Sequence, residues 1–165
     1  MTNTELQFKT VYYGDPLLTQ FCNDVIETEM DTSYHHWWTD ERMKKIFHNV
    51  ELCLVNNKVI SFSGCSINNN RLRIAQQHYT LLEYRKDYRD ILIRKDGFID
   101  RHIKTAIDLD LHKLLITIHT FNKKTKYIER IYRKKRHLYR HLKDFEYVGV
   151  EKVNYVNQHC YEKII

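Results

Sequence analysis

Apolar and polar positions alternate from Leu6 and Phe8 through Thr10 to Tyr13, the two-residue period of a half-buried strand. Asp15-Pro16 follows, a helix cap with proline at the first helical position, and Leu17, Leu18, Phe21, Val25 and Ile26 then recur at helical spacing. Thr39 predicts a second cap, with Asp40 and Glu41 suited to the positive end of a helix dipole and Met43, Ile46 and Phe47 turned inward. From Val50 the period returns to two. Strands are predicted over 51–55, 59–66 and 71–83, separated by turns at Asn56-Asn57 and Asn68 to Asn70, because asparagine accepts the left-handed conformation of tight hairpins. A helix over about 96–109, with Phe98, Ile99, Ile103, Ala106 and Ile107 on one face, precedes a nearly continuous apolar strand over 113–121. Together with the strand before them they predict a parallel βαβ unit. A helix over 125–135, with Tyr127, Ile128, Ile131 and Tyr132 inside, and strands over 145–156, bulged at Gly149, and 158–165 complete the pattern.

The order β, α, α, β, β, β, α, β, α, β, β has no repeat, low-complexity tract or Gly/Ser/Pro-rich linker, so a single α/β domain over 1–165 is expected. No stretch approaches the roughly 20 apolar residues of a membrane helix, and the start lacks the basic then apolar pattern of a signal peptide, which predicts a cytosolic protein without membrane contact. Cys22, Cys53, Cys65 and Cys160 are widely spaced with no CxxC pair, as expected of reduced, buried thiols. The aromatic cluster Tyr34, His35, His36, Trp37, Trp38 reads as a loop covering the core, or else as a substrate wall.

Charge is unevenly distributed. Residues 123–143 carry ten Lys or Arg against Glu129 alone, +9, which leaves −3 for the remainder of a chain with net charge +6. Interleaved with Tyr132, His137, Tyr139 and His141, this segment reads as a solvated helix face or as a contact for nucleic acid, cofactor phosphates or an acidic partner. His137 and His141 have the spacing of two metal ligands on a helix, but Leu138-Tyr139-Arg140 lies between them and cations surround them, so no metal is expected.

The element order, with Tyr79-Thr80-Leu81-Leu82-Glu83 ending a long strand, Asp87-Tyr88-Arg89 after it, the helix ending His102-Ile103-Lys104-Thr105-Ala106, the strand Leu114 to Ile118, Asn122, and the closing strands at Phe145 to Gly149 and Gln158 to Tyr161, resembles the GNAT acyltransferase superfamily over about residues 50–165. The tail from Phe145 and the stretch from Glu83 to Arg94 look most like divergent GNAT-like proteins of large tailed phages. The resemblance implies a GNAT-like mixed central sheet with flanking helices, and acetyl-CoA or another acyl-CoA as co-substrate for transfer to an amine acceptor. It further implies cofactor contacts at Leu81, Leu82, Glu83, Arg89, Arg94, Lys95, Gly97 and Asn122. The family's small residues in the pyrophosphate loop, which let backbone N–H groups approach phosphate at a helix start, are absent: Asp90, Ile91, Leu92, Ile93 and Arg94 follow Arg89. Either Arg89, Arg94 and Lys95 neutralise the phosphates while Asp96 and Gly97 open the helix, or the site is degenerate.

Acyl transfer to an amine needs a base, dipoles on the carbonyl and often an acid at the departing thiolate. Glu83 is the candidate base, with Tyr79 on the same strand face by alternation; the alternative is a surface pair with Arg85 or Arg89. By the resemblance, Tyr132, then Tyr127, is the candidate acid, and core packing is the alternative for both. The competing reading of the whole chain is a catalytically inactive GNAT-like protein that binds nucleic acid or an acidic protein through residues 123–143.

Overall fold

The computed structural model describes residues 5–28, 38–74, 79–119, 144–153 and 155–165. The chain divides into two compact units, one of Met1–Ser66 with Gln77–Ile91 and the other of Ile67–Gln76 with Leu92–Ile165.

In the first unit, β1 (Leu6–Val11), β2 (Asn49–Val55) and β3 (Lys58–Asn68) form an antiparallel meander. The turn between β2 and β3 holds Asn56 and Asn57 at φ 49° and 64°, the left-handed pair that their sequence predicts. Helix α1 (Pro16–Thr28) begins as expected, with Asp15 Oδ1 accepting the Leu17 N–H at 2.9 Å. Helix α2 (Asp40–Ile46) is capped by Thr39, whose Oγ1 accepts the Arg42 N–H at 3.2 Å. Leu18, Phe21, Val25, Met43, Leu52, Phe62 and Leu81 make a dry core. Trp38, 8% exposed, packs edge-on to Phe21, Phe62 and Tyr79 at ring separations of 6.0, 5.5 and 5.1 Å, so this member of the aromatic cluster covers the core. Residues 34–37 lie outside the described residues.

The second unit holds a mixed sheet. The strand β4 (Arg71–Ile74) pairs in parallel with β6 (Lys113–His119), and β6, β8 (Val156–Ile164) and β7 (Glu146–Val153) are antiparallel neighbours in that order. The two-residue turn before β4 again uses left-handed asparagines, Asn69 and Asn70 at φ 47° and 60°. Helix α3 (Phe98–Asp108) packs on β4 and β6, completing the expected parallel arrangement. It buries Phe98, Ile99, His102 and Ala106, whereas the expected inner residue Ile107 is 61% exposed. Nine residues beyond Phe98, at about 100° each, Ile107 falls on the opposite face of the helix. The bulge at Gly149 is present: pairing to β8 slips between Tyr147 and Gly149, and φ there is 111°. Antiparallel and parallel strand pairs with helices packed on them make the expected α/β architecture. Among the described residues no helix is long and apolar enough to cross a membrane, and all four cysteines are buried thiols.

One predicted element is corrected. Residues 71–83 are not a single strand: β4 ends at Ile74, and β5 is only Tyr79–Thr80, paired antiparallel with Ser61 and Phe62 of β3. β4 takes β6 as a parallel neighbour and β5 pairs antiparallel with β3, a difference that periodicity within the segment does not reveal. Leu82–Tyr84 then form a 3₁₀ turn.

Candidate functional site

The chain leaves β5 through Leu81, whose N–H still donates to the Ile60 carbonyl at 2.9 Å. The Leu81 carbonyl then accepts from Tyr84 N–H, the Leu82 carbonyl from Arg85 N–H, and the Tyr84 carbonyl from Tyr88 N–H at 3.1 Å, so successive helical turns carry the segment forward. Glu83 therefore sits on a turn and shares no strand face with Tyr79. Its side chain is 64% exposed, and Oε1 accepts from Lys58 Nζ at 3.1 Å. The surface pair considered for Glu83 exists, with Lys58 in place of Arg85 or Arg89. The hydrogen bond to Glu83 raises the Lys58 ammonium above its ordinary value.

The same turns shape a cleft of about 260 Å³ lined by Tyr79, Thr80, Arg85, Tyr88 and Arg89. Arg85 is held on two sides: Nε donates to the Thr80 carbonyl at 2.8 Å, and the guanidinium lies over the Tyr79 ring at 4.8 Å. Among the described residues neither Arg85 nor Arg89 is in an ion pair, and Arg89 makes no hydrogen bond. Sequence reasoning expected Arg89 here but used Arg85 only as a partner for Glu83. The signal was the four-residue spacing of the two arginines, which a helical turn places on one side.

Arg94 and Lys95 belong to the second unit and are exposed on the turn leading into α3. Gly97 caps that helix, as expected, at φ −80°, a conformation open to any residue. Part of the helix start is paired from within. Gly97 N–H donates to the Arg94 carbonyl at 2.9 Å, Ile99 N–H to the Leu92 carbonyl at 3.0 Å, and Asp96 N–H to Asp100 Oδ2 at 2.8 Å. An aspartate in the first turn already occupies the place that an anion would take there. Asn122, Tyr127, Tyr132 and all of 123–143 lie outside the described residues.

Other chemistry in the described residues is confined. Cys65 donates to Asn49 Oδ1 at 2.6 Å, and burial pushes its thiol up to about 12, which removes it as a nucleophile at neutral pH. Among the described residues no three His, Cys, Asp or Glu side chains are grouped to hold a metal ion.

No family model matches the chain, and no curated protein matches it by sequence. Solved structures do match in shape along nearly the whole length. An acetyltransferase from Streptococcus agalactiae shares 14% identity at TM-score 0.59, covering 97% of this chain and 98% of its own. A GNAT-family acetyltransferase from Streptococcus pneumoniae shares 16% identity at TM-score 0.57, covering 98% and 99%. PaiA N-acetyltransferase from Thermoplasma acidophilum, in complex with coenzyme A, shares 13% identity at TM-score 0.55, again covering 98% and 99%. With the described helices and strands following the order expected of that superfamily, apart from the split of residues 71–83 into β4 and β5, the chain has the fold of the GNAT acetyltransferases.

Proposed function

We propose that the protein is a cytosolic, acyl-CoA-dependent N-acyltransferase that moves an acyl group, acetyl foremost, to an amine. The observation that carries this reading is the end-to-end likeness to acetyltransferases, one of them solved with coenzyme A. The segment after β5 offers donors of the right kind. The N–H groups of Leu82 and Glu83 open the 3₁₀ turn without acceptors inside it and suit the amide-bearing arm of the cofactor; Arg85 and Arg89 suit its phosphates. Bound acyl-CoA would supply the activated thioester. Glu83 is the base: released from Lys58, its carboxylate takes the amine proton directly or through a water. By the family resemblance, Tyr132 or Tyr127 supplies the acid and Asn122 a cofactor contact.

Calorimetry with acetyl-CoA tests the reading first. Ligand at a hundredfold excess over its dissociation constant adds about 2.7 kcal/mol to stability, so a thermal midpoint that stays put under saturating acetyl-CoA sinks it. In an assay of thiol release with amine acceptors, Glu83→Gln is expected to lower turnover by about a hundredfold to ten-thousandfold. Its melting temperature should hold, because the pair with Lys58 is exposed. An unchanged rate across pH removes Glu83 from the mechanism. The +9 segment at 123–143 supports a second reading, a non-catalytic protein that grips nucleic acid. Duplex binding that weakens with salt, and whose log-log slope flattens by about 0.9 for each lost phosphate contact in a variant with Arg133, Lys134, Lys135 and Arg136 changed to Gln, would favour it.

A further inference from the structure

A second cavity, of about 200 Å³, opens in the first unit where Val11 of β1 pairs with Val50 of β2. It lies about 17 Å of strand from the end of the ladder near the Lys58–Glu83 pair. Val11, Leu18, Met43 and Val50, each at most 3% exposed, form its inner walls, so an apolar group placed there is shielded from water as a core residue is. The volume is below the roughly 300–1,000 Å³ of sites for drug-sized ligands and leaves room for one branched or aromatic side chain.

One polar side chain is buried against these walls. Asn49 is 4% exposed, and its Oδ1 is occupied: it accepts from Cys65 Sγ at 2.6 Å and lies 3.3 Å from His48 Nδ1. Among the described residues its Nδ2 makes no hydrogen bond, which leaves a buried amide donor open at the cavity. Because an amide oxygen only accepts, His48 Nδ1 carries the proton and Nε2 is an acceptor. The turn Tyr12–Asp15 fixes the mouth: Asp15 N–H donates to the Tyr12 carbonyl at 3.2 Å, and Gly14 takes the φ of 89° that the turn requires. Tyr12 and Tyr13 on that turn line the cavity and are more than half exposed. Exposed tyrosines beside an apolar pocket are favoured anchors of protein contacts.

We propose that this cavity docks one apolar side chain, of leucine or phenylalanine size, from an exposed peptide segment of another protein. Asn49 Nδ2 donates to the peptide carbonyl beside that side chain, and His48 Nε2 accepts from its N–H. A nucleobase offers the same donor and acceptor edge, but base binding is built on aromatic platforms and cations for the phosphates. Here the inner walls are aliphatic, and none of the lining residues is Lys or Arg. The site shares no residue with Glu83, Arg85 or Arg89, so peptide docking here does not depend on acyl transfer.

The test is titration of the isotope-labelled full chain, followed by amide NMR, with the capped tripeptides acetyl-Ser-Leu-Ser-amide and acetyl-Ser-Phe-Ser-amide, and acetyl-Ser-Ser-Ser-amide as the blank. One of the first two should bind saturably, with shifts centred on Val11 to Leu18 and Met43 to Val50, and the blank should not. Asn49→Asp keeps the acceptor that Cys65 and His48 use and removes only the donor, so it should weaken binding by about tenfold. Tyr12→Ser should weaken it by about threefold or more. Tyr155→Ser, an exposed ring in the second unit, should leave it unchanged. A circular-dichroism melt checks each variant, and the exposed Tyr12 keeps the site testable if Asn49→Asp does not fold. No saturable binding of either peptide by the parent, parent-like binding by both Asn49→Asp and Tyr12→Ser, or equal weakening in Tyr155→Ser overturns the site. Adenosine that shifts the same amides at lower concentration than the peptides overturns the commitment to a peptide.

Discussion

The first unit packs aromatic rings around one another, with Glu51 buried apart from them, and the second buries two arginines on its sheet. Around Phe62 the first unit packs Phe21 at 6.0 Å, Trp38 at 5.5 Å and Phe47 at 5.6 Å, with no Asp, Glu, His, Lys or Arg in that core cluster. The second unit places Arg71 and Arg73, both under 10% exposed, on one face of its sheet. Those arginines differ in turn. Arg71 donates to Glu151 and Glu162, each at 2.9 Å, and Lys113 adds a contact to Glu162 at 3.3 Å. Among the described residues Arg73 has only neutral hydrogen-bond partners, Thr117 Oγ1 at 2.8 Å and Gln158 Oε1 at 3.3 Å, and burial pushes it down to about 10. The ring cluster of the first unit carries no charge, whereas the network around Arg71 depends on the charge state of its carboxylates.

The largest way to break the contrast is Phe62→Ala. It removes a fully buried ring touching three others and should cost about 3–5 kcal/mol in urea unfolding, equally at pH 4 and pH 7. A loss that grows on acidification would deny that this core is electrostatically silent.

Arg71→Met should cost roughly 2–3 kcal/mol at pH 7, less than a fully buried broken pair because Glu151 is about a third exposed and screened. The hydrogen bond from Arg71 holds the Glu151 carboxyl below its ordinary range. For Glu162, burial acts upward, but bonds from Arg71 and Lys113 outweigh it and hold it low as well. A depressed carboxylate stabilises the fold above its unfolded pKa, and that stabilisation disappears as pH falls through the folded value. The parent should therefore lose stability on acidification below the usual carboxylate range, and Arg71→Met should lose less. Parallel pH profiles would show that the network contributes nothing.

Glycines sharpen the comparison at smaller scale. A Cβ on Gly64, in the first unit, would lie 2.5 Å from the Phe47 ring, whereas one on Gly149, at φ 111°, would meet nothing within 4 Å. Gly64→Ala should destabilise by about 1–3 kcal/mol through overpacking, and Gly149→Ala by about 1 kcal/mol through backbone strain alone. Equal thermal shifts would erase the distinction.

The smallest expected effect is at Arg73. With no carboxylate to strand, Arg73→Met should leave stability at pH 7 within about 1 kcal/mol of the parent or raise it. Because burial lowers the folded-state cation to about 10, below the ordinary guanidinium range, the parent should gain stability relative to the variant as pH rises above that value, the unfolded chain holding its proton longer. A loss above about 2 kcal/mol at pH 7 would mean that Arg73 has a partner worth more than two neutral hydrogen bonds.

What the sequence determined by itself is local. The Asp15 and Thr39 caps, the two Asn-Asn turns, the bulge at Gly149 and the inner face of α1 depend on residues within a few positions of each other, and they stand as read. Tertiary structure decided whatever depended on a distant partner. Residues 71–83 alternate like one strand, yet β4 pairs with β6 and β5 with β3, so the segment is cut in two and Glu83 is carried onto an exposed turn beside Lys58. Arg71 finds its carboxylates 80 and 91 residues away, and no window of sequence could assign them. The arginine cleft follows the same logic. Two Arg in a charged run are unremarkable until Thr80 and Tyr79 fix one of them, because hydrogen-bond geometry and ring contact exist only once the backbone has chosen its partners.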